Sequence, residues 1–391
     1  MGTRPKDFLS RPELDTLKVK QTSLKERLMT RNPVFHRLLL GCATCLLGAT
    51  ALLSATASAA ETDMPPTADG KPDLSGTYDI ATLTPLQRPE EFGEALYMTP
   101  EQAEKITLTR AERVAAEDIP SDPDRGAPPA GGDGTGGAGG NVGGYNSFWI
   151  DAGDSVALDD GKFRTSIITD PPNGRHPPET PKAKLGQRIV ADQLRTNDGS
   201  AYWLEWNRPG PFDDPERLLA SDRCVASFRG AVPSTPSVYN NLQRIVQTND
   251  QVMILNEMVH DARVIRMNSE HLPSDMKFWL GDSIGWWEGD TLVVDTSNFK
   301  GYWGFTSTTP TLHVVERFTR TDADSLHYEF TVNDPGMWTG TWKGDFIWPA
   351  TTKVEERVYE YACHEGNYAV GNMLRGARLI ESETLVQGGG R

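Results

Sequence analysis

From Asn146 onward the chain is cut into short β-branched and aromatic runs separated by Gly, Asp and Asn turns, at 147–151, 164–169, 224–228, 242–248, 251–258 and 262–267. The density then rises, with further runs at 284–288, 291–296, 312–321, 325–332, 337–348 and 353–361. Short runs at this spacing predict an all-β meander, sandwich or barrel. Closing about seven or eight of them into an antiparallel, calycin-like barrel removes the edges and leaves an interior that packs solid or holds one small ligand. A two-sheet sandwich is the alternative architecture. Strict alternation puts Trp338, Gly340, Trp342, Gly344, Phe346 and Trp348 on one aromatic face. Helices are few and peripheral. One is expected over 100–117, where Thr99 supplies a cap and Pro100 suits the first turn, and others over 178–193, 214–220 and 368–382.

Ahead of this β-rich part lie three different stretches. Residues 1–59 form an upstream extension and a leader, in which an apolar run of about 16 residues (38–53) follows Arg31 and Arg37 and precedes Ala57-Ser58-Ala59. That is the layout of a secretory signal peptide, cleaved near Ala59 or Ala60, and a start at Met29 would give it ordinary length. The run falls short of the ~20 residues of a spanning helix, so no stable membrane insertion is expected after cleavage. Residues 60–120 carry a strand at 77–80 and the first helix. Residues 121–145 are a Gly/Pro-rich loop that cannot bury enough apolar surface to offset its ordering entropy. The core domain is 146–391.

Removing the leader takes nine of the 39 Lys and Arg residues and four of the 54 Asp and Glu residues, which leaves 30 bases against 50 acids and a net charge of about −20. Such a chain repels nucleic acid, whose binding needs a basic patch. Of the four cysteines, Cys42 and Cys45 lie in the leader, leaving Cys224 and Cys363 alone in an oxidising compartment, where they are expected to form one disulfide. The Gly-rich loop has no following Gly-Lys-Ser/Thr, no Rossmann fingerprint or Gly-x-Ser-x-Gly elbow occurs, and no HExxH, HxH or paired-Cys spacing survives leader removal. No cofactor or metal is therefore expected.

Chemistry-bearing residues concentrate in four places. Glu257 and Arg263 flank a turn holding His260 and Asp261; facing one another across a hairpin they make a plain ion pair, whereas an imidazole beside a carboxylate suits acid/base work. Trp279, Asp282, Trp287 and Glu288 interleave aromatics with acids, as a pocket for a flat or sugar-like ligand requires, although Trp is also common in β-cores. His313 and Arg317 alternate against Glu316, which if buried needs Arg263 or Arg223 as partner. The predicted disulfide would bring His364 close to Arg223.

The stretch 223–368 resembles a family of secreted bacterial proteins, through EMVHDAR (257–263), WLGDS (279–283), WWEGDTLVVDTSNF (286–299), HVVERFTR (313–320), YEFTVNDP (328–335) and YEYACHEGNY (359–368); RTSIITDPPNGR (164–175) also fits. Some lignin-catabolism enzymes that open the dihydrobenzofuran ether of phenylcoumaran dimers without a cofactor look similar to this group. The resemblance implies a periplasmic carbon–oxygen lyase acting on a small aromatic substrate. Such an elimination needs a base, for which His260 or His364 are candidates, and a cation or acid for the departing phenolate, for which Arg223, Arg263 or Tyr239 are candidates. It also needs aromatic walls such as Trp279, Trp287 or Trp303. Two other functions fit the same residues: a non-catalytic periplasmic binding protein for a hydrophobic ligand, and a carbohydrate-active hydrolase using acids such as Asp282 and Glu288.

Overall fold

The computed structural model of this 391-residue protein describes residues 66–117, 150–193, 199–228, 232–303, 307–351 and 357–388, with Asp124 and Gly126. The leader and its cleavage site, most of the Gly-rich loop, most of the 147–151 run and the first part of the 353–361 run lie outside the described residues.

The alternating runs fold as expected into one large sheet. Its strands are β1 (Gly76–Asp79), β5 (Ile168–Asp170), β6 (Leu242–Gln247), β7 (Gln251–Asn256), β8 (Ala262–Met267), β9 (Asp282–Glu288), β10 (Thr291–Ser297), β11 (His313–Asp322), β12 (Ser325–Asn333) and β13 (Trp342–Pro349). They lie in the order β1-β6-β7-β8-β9-β10-β11-β12-β13-β5, ten strands curled into a half-barrel. The curl brings β1 back to the end of β13, where Tyr78 bridges Ala350 and Thr351 N donates to Thr77 O at 2.8 Å. Within this sheet the pairing is antiparallel except at one junction: β8 and β9 run parallel, Ile265 opposite Ser283. A parallel pair demands a crossover, and 268–281 supplies it, pinned by Asn298 Nδ2 donating to Leu272 O at 2.9 Å.

The concave face is the core. Ile245, Ile254, Ile265, Leu292, Val294, Val314, Phe318, Leu326, Tyr328, Phe330, Trp342, Phe346 and Trp348 all come from the inward positions of successive strands and are almost wholly buried. Each such side chain contributes roughly 1.5–3 kcal/mol on leaving water. Gly344 belongs to this face because the Phe330 ring lies where a side chain would start. The barrel interior is therefore filled at this level rather than open.

Among the described residues, three α-helices surround the sheet. In α1 (Pro100–Glu117) the expected Thr99 cap is a reciprocal box: Thr99 Oγ1 accepts from Gln102 N at 3.3 Å while Gln102 Oε1 accepts from Thr99 N at 2.8 Å. This helix covers a small sheet of β2 (Tyr97–Met98), β4 (Lys162–Arg164) and β3 (Leu158–Asp159), which Arg164 ties to the main sheet by bonding both Asp159 at 3.0 Å and Asp345 at 3.1 Å. Next comes α2 (Pro181–Gln193); α3 (Ala369–Gly388) docks on a 3-10 turn (Tyr202–Glu205), Trp203 Nε1 donating to Glu381 Oε1 at 2.6 Å. Among the described residues no helix is long and apolar enough to cross a membrane.

Several local expectations are corrected. Residues 224–228 are turns, because Cys224 sits at φ 55 and is disulfide-bonded to Cys363. The 214–220 helix is a single 3-10 turn, Pro215–Arg217, capped by Asp214. The aromatic strand starts at Trp342, not at residue 337, since Met337 and Trp338 turn back on Asp334 O at 2.8 Å each. Residues 357–361 form no strand.

Candidate functional site

At the end of the sheet where β12 stops and β13 starts, a cleft of about 460 Å³ opens between the strand ends and the loops around them. That volume is typical of small-molecule sites. Leu86, Val232, Pro233, Leu312, Val332 and Met337 supply an apolar lining, Trp338, Trp342 and His176 an aromatic one, and Glu179, Gln187, Thr308 and Asp334 the polar groups. The turn that ends the aromatic alternation is what exposes Trp338 here. Thr339 N donates to Pro178 O at 2.9 Å and Thr180 N to Met337 O at 3.0 Å, so the 176–180 segment is stitched alongside Trp338.

His176 is the central side chain. Its ring stacks on Trp338 at 4.5 Å and 28° and meets Trp342 edge-on at 4.6 Å and 68°. Burial pushes its pKa down to about 4, so the imidazole is neutral at physiological pH. Its Nε2 is buried without a hydrogen-bond partner, and so are Trp342 Nε1 and Thr308 Oγ1. Seven side-chain N or O atoms are in that condition among the described residues, and three belong to this one wall. Because buried polar atoms are ordinarily satisfied, the cluster marks a wall whose hydrogen-bonding capacity the protein does not use itself. Asp334 differs: its carboxylate takes Thr309 N at 2.9 Å, Thr311 Oγ1 at 2.8 Å and Gly336 N at 3.2 Å, which makes it a turn anchor.

A second group gathers around the disulfide. Asp261, 6% exposed, accepts from Ser227 N at 3.0 Å, and burial pushes its carboxyl up to about 6. Burial, with Asp261 nearby, also raises the Tyr302 hydroxyl. Tyr302 leans on Trp279 at 6.3 Å, over which Lys300 (4.4 Å) and Arg223 (5.8 Å) lie as cations. Two loops join this group to the cleft. Tyr302 and Thr308 pair through both backbone bonds, at 3.1 and 2.9 Å, and the chain from Cys224 leads to Val232 and Pro233 in the cleft wall.

Of the residues expected from the sequence, Arg223, Trp279 and the disulfide pair thus lie in this second group. His260 is exposed beside it, its Nε2 accepting Tyr361 N at 2.5 Å, in a turn where Val259 and His260 both adopt positive φ. His364 is exposed, next to Cys363. Glu257 and Arg263 do not face one another. Arg263 points into the barrel and bonds Glu316, while Glu257 accepts Leu242 N at 3.2 Å, because register places Arg263 opposite Ile254.

Tyr239 packs on Phe228 at 5.9 Å, Trp303 presses on Gly186 of α2, and Trp287 packs against the main core. Asp282 and His313 stand on the convex face in a network with His271, which lies 3.0 Å from both Asp282 and Asp295, with His313 2.8 Å from Asp295. Asp282 and Glu288 sit at opposite ends of β9, about 20 Å apart at strand rise, far beyond a glycosidase pair. None of the expected catalytic residues lines the cleft. Among the described residues no group of three or more His, Cys, Asp or Glu is placed to hold a metal ion.

His176 and Glu179 were not singled out by sequence, and Trp342 only as part of the aromatic strand face, not as a site residue. His176 stands in PPNGRHPP (171–178), a segment without periodicity, and its partners lie more than 160 residues away. No protein-family model, curated protein or solved structure matches the chain.

Proposed function

We propose that the protein is an exported, cofactor-independent carbon–oxygen lyase that acts on a small aromatic ether held in the cleft. The observation that carries this reading is His176, a neutral imidazole held between two indoles in a cleft of ligand size. The resemblance of 223–368 to secreted proteins akin to ether-opening enzymes supports the same reaction class. In that reaction the imidazole removes a carbon-bound proton, the C–H electron pair becomes a C=C bond, and the C–O pair leaves on oxygen. The imidazolium returns its proton to that oxygen, so no oxidant or reductant is needed; a cyclic ether opens to a single product isomeric with the substrate, and an open-chain one splits into an alkene and a phenol. The leader-like 38–53 run and the Cys224–Cys363 disulfide support export into an oxidising compartment.

A second reading is a binding protein. The low His176 pKa favours it, because so weak a base removes carbon-bound protons slowly. Purified mature protein, without added metal or nucleotide, incubated with a panel of aromatic ethers and followed by mass-resolved chromatography separates the two. An isomeric product from a cyclic ether, or a phenol with an alkene from an open-chain one, supports the lyase. Unchanged compounds that raise the melting temperature support the binding protein, and a panel without either effect overturns both.

A further inference from the structure

We infer that Glu179 sets the specificity of the cleft, selecting an uncharged aromatic ligand that carries a free hydroxyl and rejecting its carboxylated congener. This rests on the cleft being an aromatic-ligand site. Two carboxylates line it, and they are differently employed. Asp334 is spent on Thr309, Thr311 and Gly336. Glu179 is half-buried in the wall, its backbone bridged to that of Trp338, and among the described residues its carboxylate takes no hydrogen bond or ion pair.

A half-buried, unpaired carboxylate in an apolar-walled cleft throws its field into the cleft, since low-dielectric walls focus rather than screen it. It accepts a hydrogen bond from a phenol or alcohol and repels a second carboxylate. His176, the titratable ring of the same wall, is neutral and does not cancel that charge. Trp342 offers the complementary half: its side chain is 95% removed from solvent and its indole N–H, a donor only, has no partner, as befits an ether or carbonyl oxygen. An acceptor oxygen and a donor hydroxyl on one aromatic frame match both groups.

Calorimetric titration with three probes tests this: a hydroxylated diaryl ether, its O-methylated form and its carboxylated form, each against the wild-type protein, Glu179→Gln and Trp338→Ala. Wild type is expected to bind the hydroxylated compound at least tenfold more tightly than the carboxylated one. Glu179→Gln, isosteric and checked for an unchanged melting temperature, is expected to bring the two within threefold. Trp338→Ala weakens all three probes alike. Equal binding of the hydroxylated and carboxylated probes by wild type, or an unaltered ratio in Glu179→Gln, overturns the role of Glu179 and leaves the aromatic cleft standing. Failure of every probe to bind wild type, or indifference to Trp338→Ala, overturns the cleft itself and the inference with it.

Discussion

Arg263 Nη2 donates to Glu316 Oε1 at 3.0 Å inside the curled sheet, and the Tyr328 hydroxyl donates to that same oxygen at 2.8 Å. Both ions are sealed from solvent, Arg263 at 3% and Glu316 at 0% side-chain exposure. Arg263 Nη1 also reaches Thr296 Oγ1 at 3.1 Å, which bonds Ser283, so β8, β9, β10, β11 and β12 meet in one polar knot within an apolar core. Desolvation offsets most of the attraction in such a pair, and its loss is costly because the partner stays buried and charged. Glu316→Gln is expected to lower stability by about 3–5 kcal/mol in urea unfolding. Replacing the set together, Arg263→Met with Glu316→Leu and Tyr328→Phe, is expected to recover most of it. A single variant no less stable than the triple one contradicts this account.

His176→Phe preserves the stack on Trp338 and removes both ring nitrogens. If the imidazole is the base, turnover falls about 100- to 10,000-fold while ligand affinity stays within threefold. The melting temperature holds or rises, because a buried unpartnered nitrogen is lost. Turnover within a few-fold of wild type would move the base elsewhere, with Asp261 and Tyr302 next to be tested.

How much of this was legible in the sequence depends on where the determining partner lies. The 262–267 strand and the 100–117 helix match their expected bounds, because alternation and a Thr-x-x-Gln cap are local signals. The 224–228 run is apolar enough to suggest a strand, yet a bond to Cys363, 139 residues on, fixes a turn there. Trp338 continues a perfect alternation with Trp342 and still leaves the strand, since the Asp334 carboxylate gathers Thr309, Thr311 and Gly336 into a different geometry. The parallel junction of β8 and β9 and the packing of His176 are likewise tertiary, with no periodic trace. The expected partnership of Glu316 with Arg263 followed from burial and charge alone, whereas that of Glu257 with Arg263 failed because register, not proximity in sequence, decides who faces whom.

The Cys224–Cys363 bridge closes a loop of 139 residues and anchors the chain that runs on to Val232 and Pro233 in the cleft wall. Cys224→Ser with Cys363→Ser is expected to cost about 3–5 kcal/mol, chiefly by releasing the unfolded chain. Local loosening of the wall should weaken ligand binding at least fivefold. The measurements are urea unfolding and titration with and without reductant. A loss of stability with unchanged affinity would confine the bridge to folding and separate it from the cleft.

Asp261 makes the pH dependence of stability testable. Burial, working against the Ser227 N–H, raises its carboxyl from the ordinary 3.8 to about 6 in the folded protein. A group whose folded pKa is raised contributes fully below its unfolded pKa, and the contribution is lost as pH rises through the folded value. Ionised Asp261 therefore destabilises the fold above pH 6, by on the order of 3 kcal/mol for a shift of about two units. Asp261→Asn keeps an oxygen for Ser227 N and cannot ionise. Its melting temperature is expected to exceed that of wild type at pH 7.5, with the gap closing between pH 6 and pH 4. His327 and Asp345 act in the opposite sense within their pair and are common to both proteins, so they drop out of the difference. A gap that is constant across this range, or that widens toward low pH, would show that Asp261 ionises freely and that its burial carries no penalty.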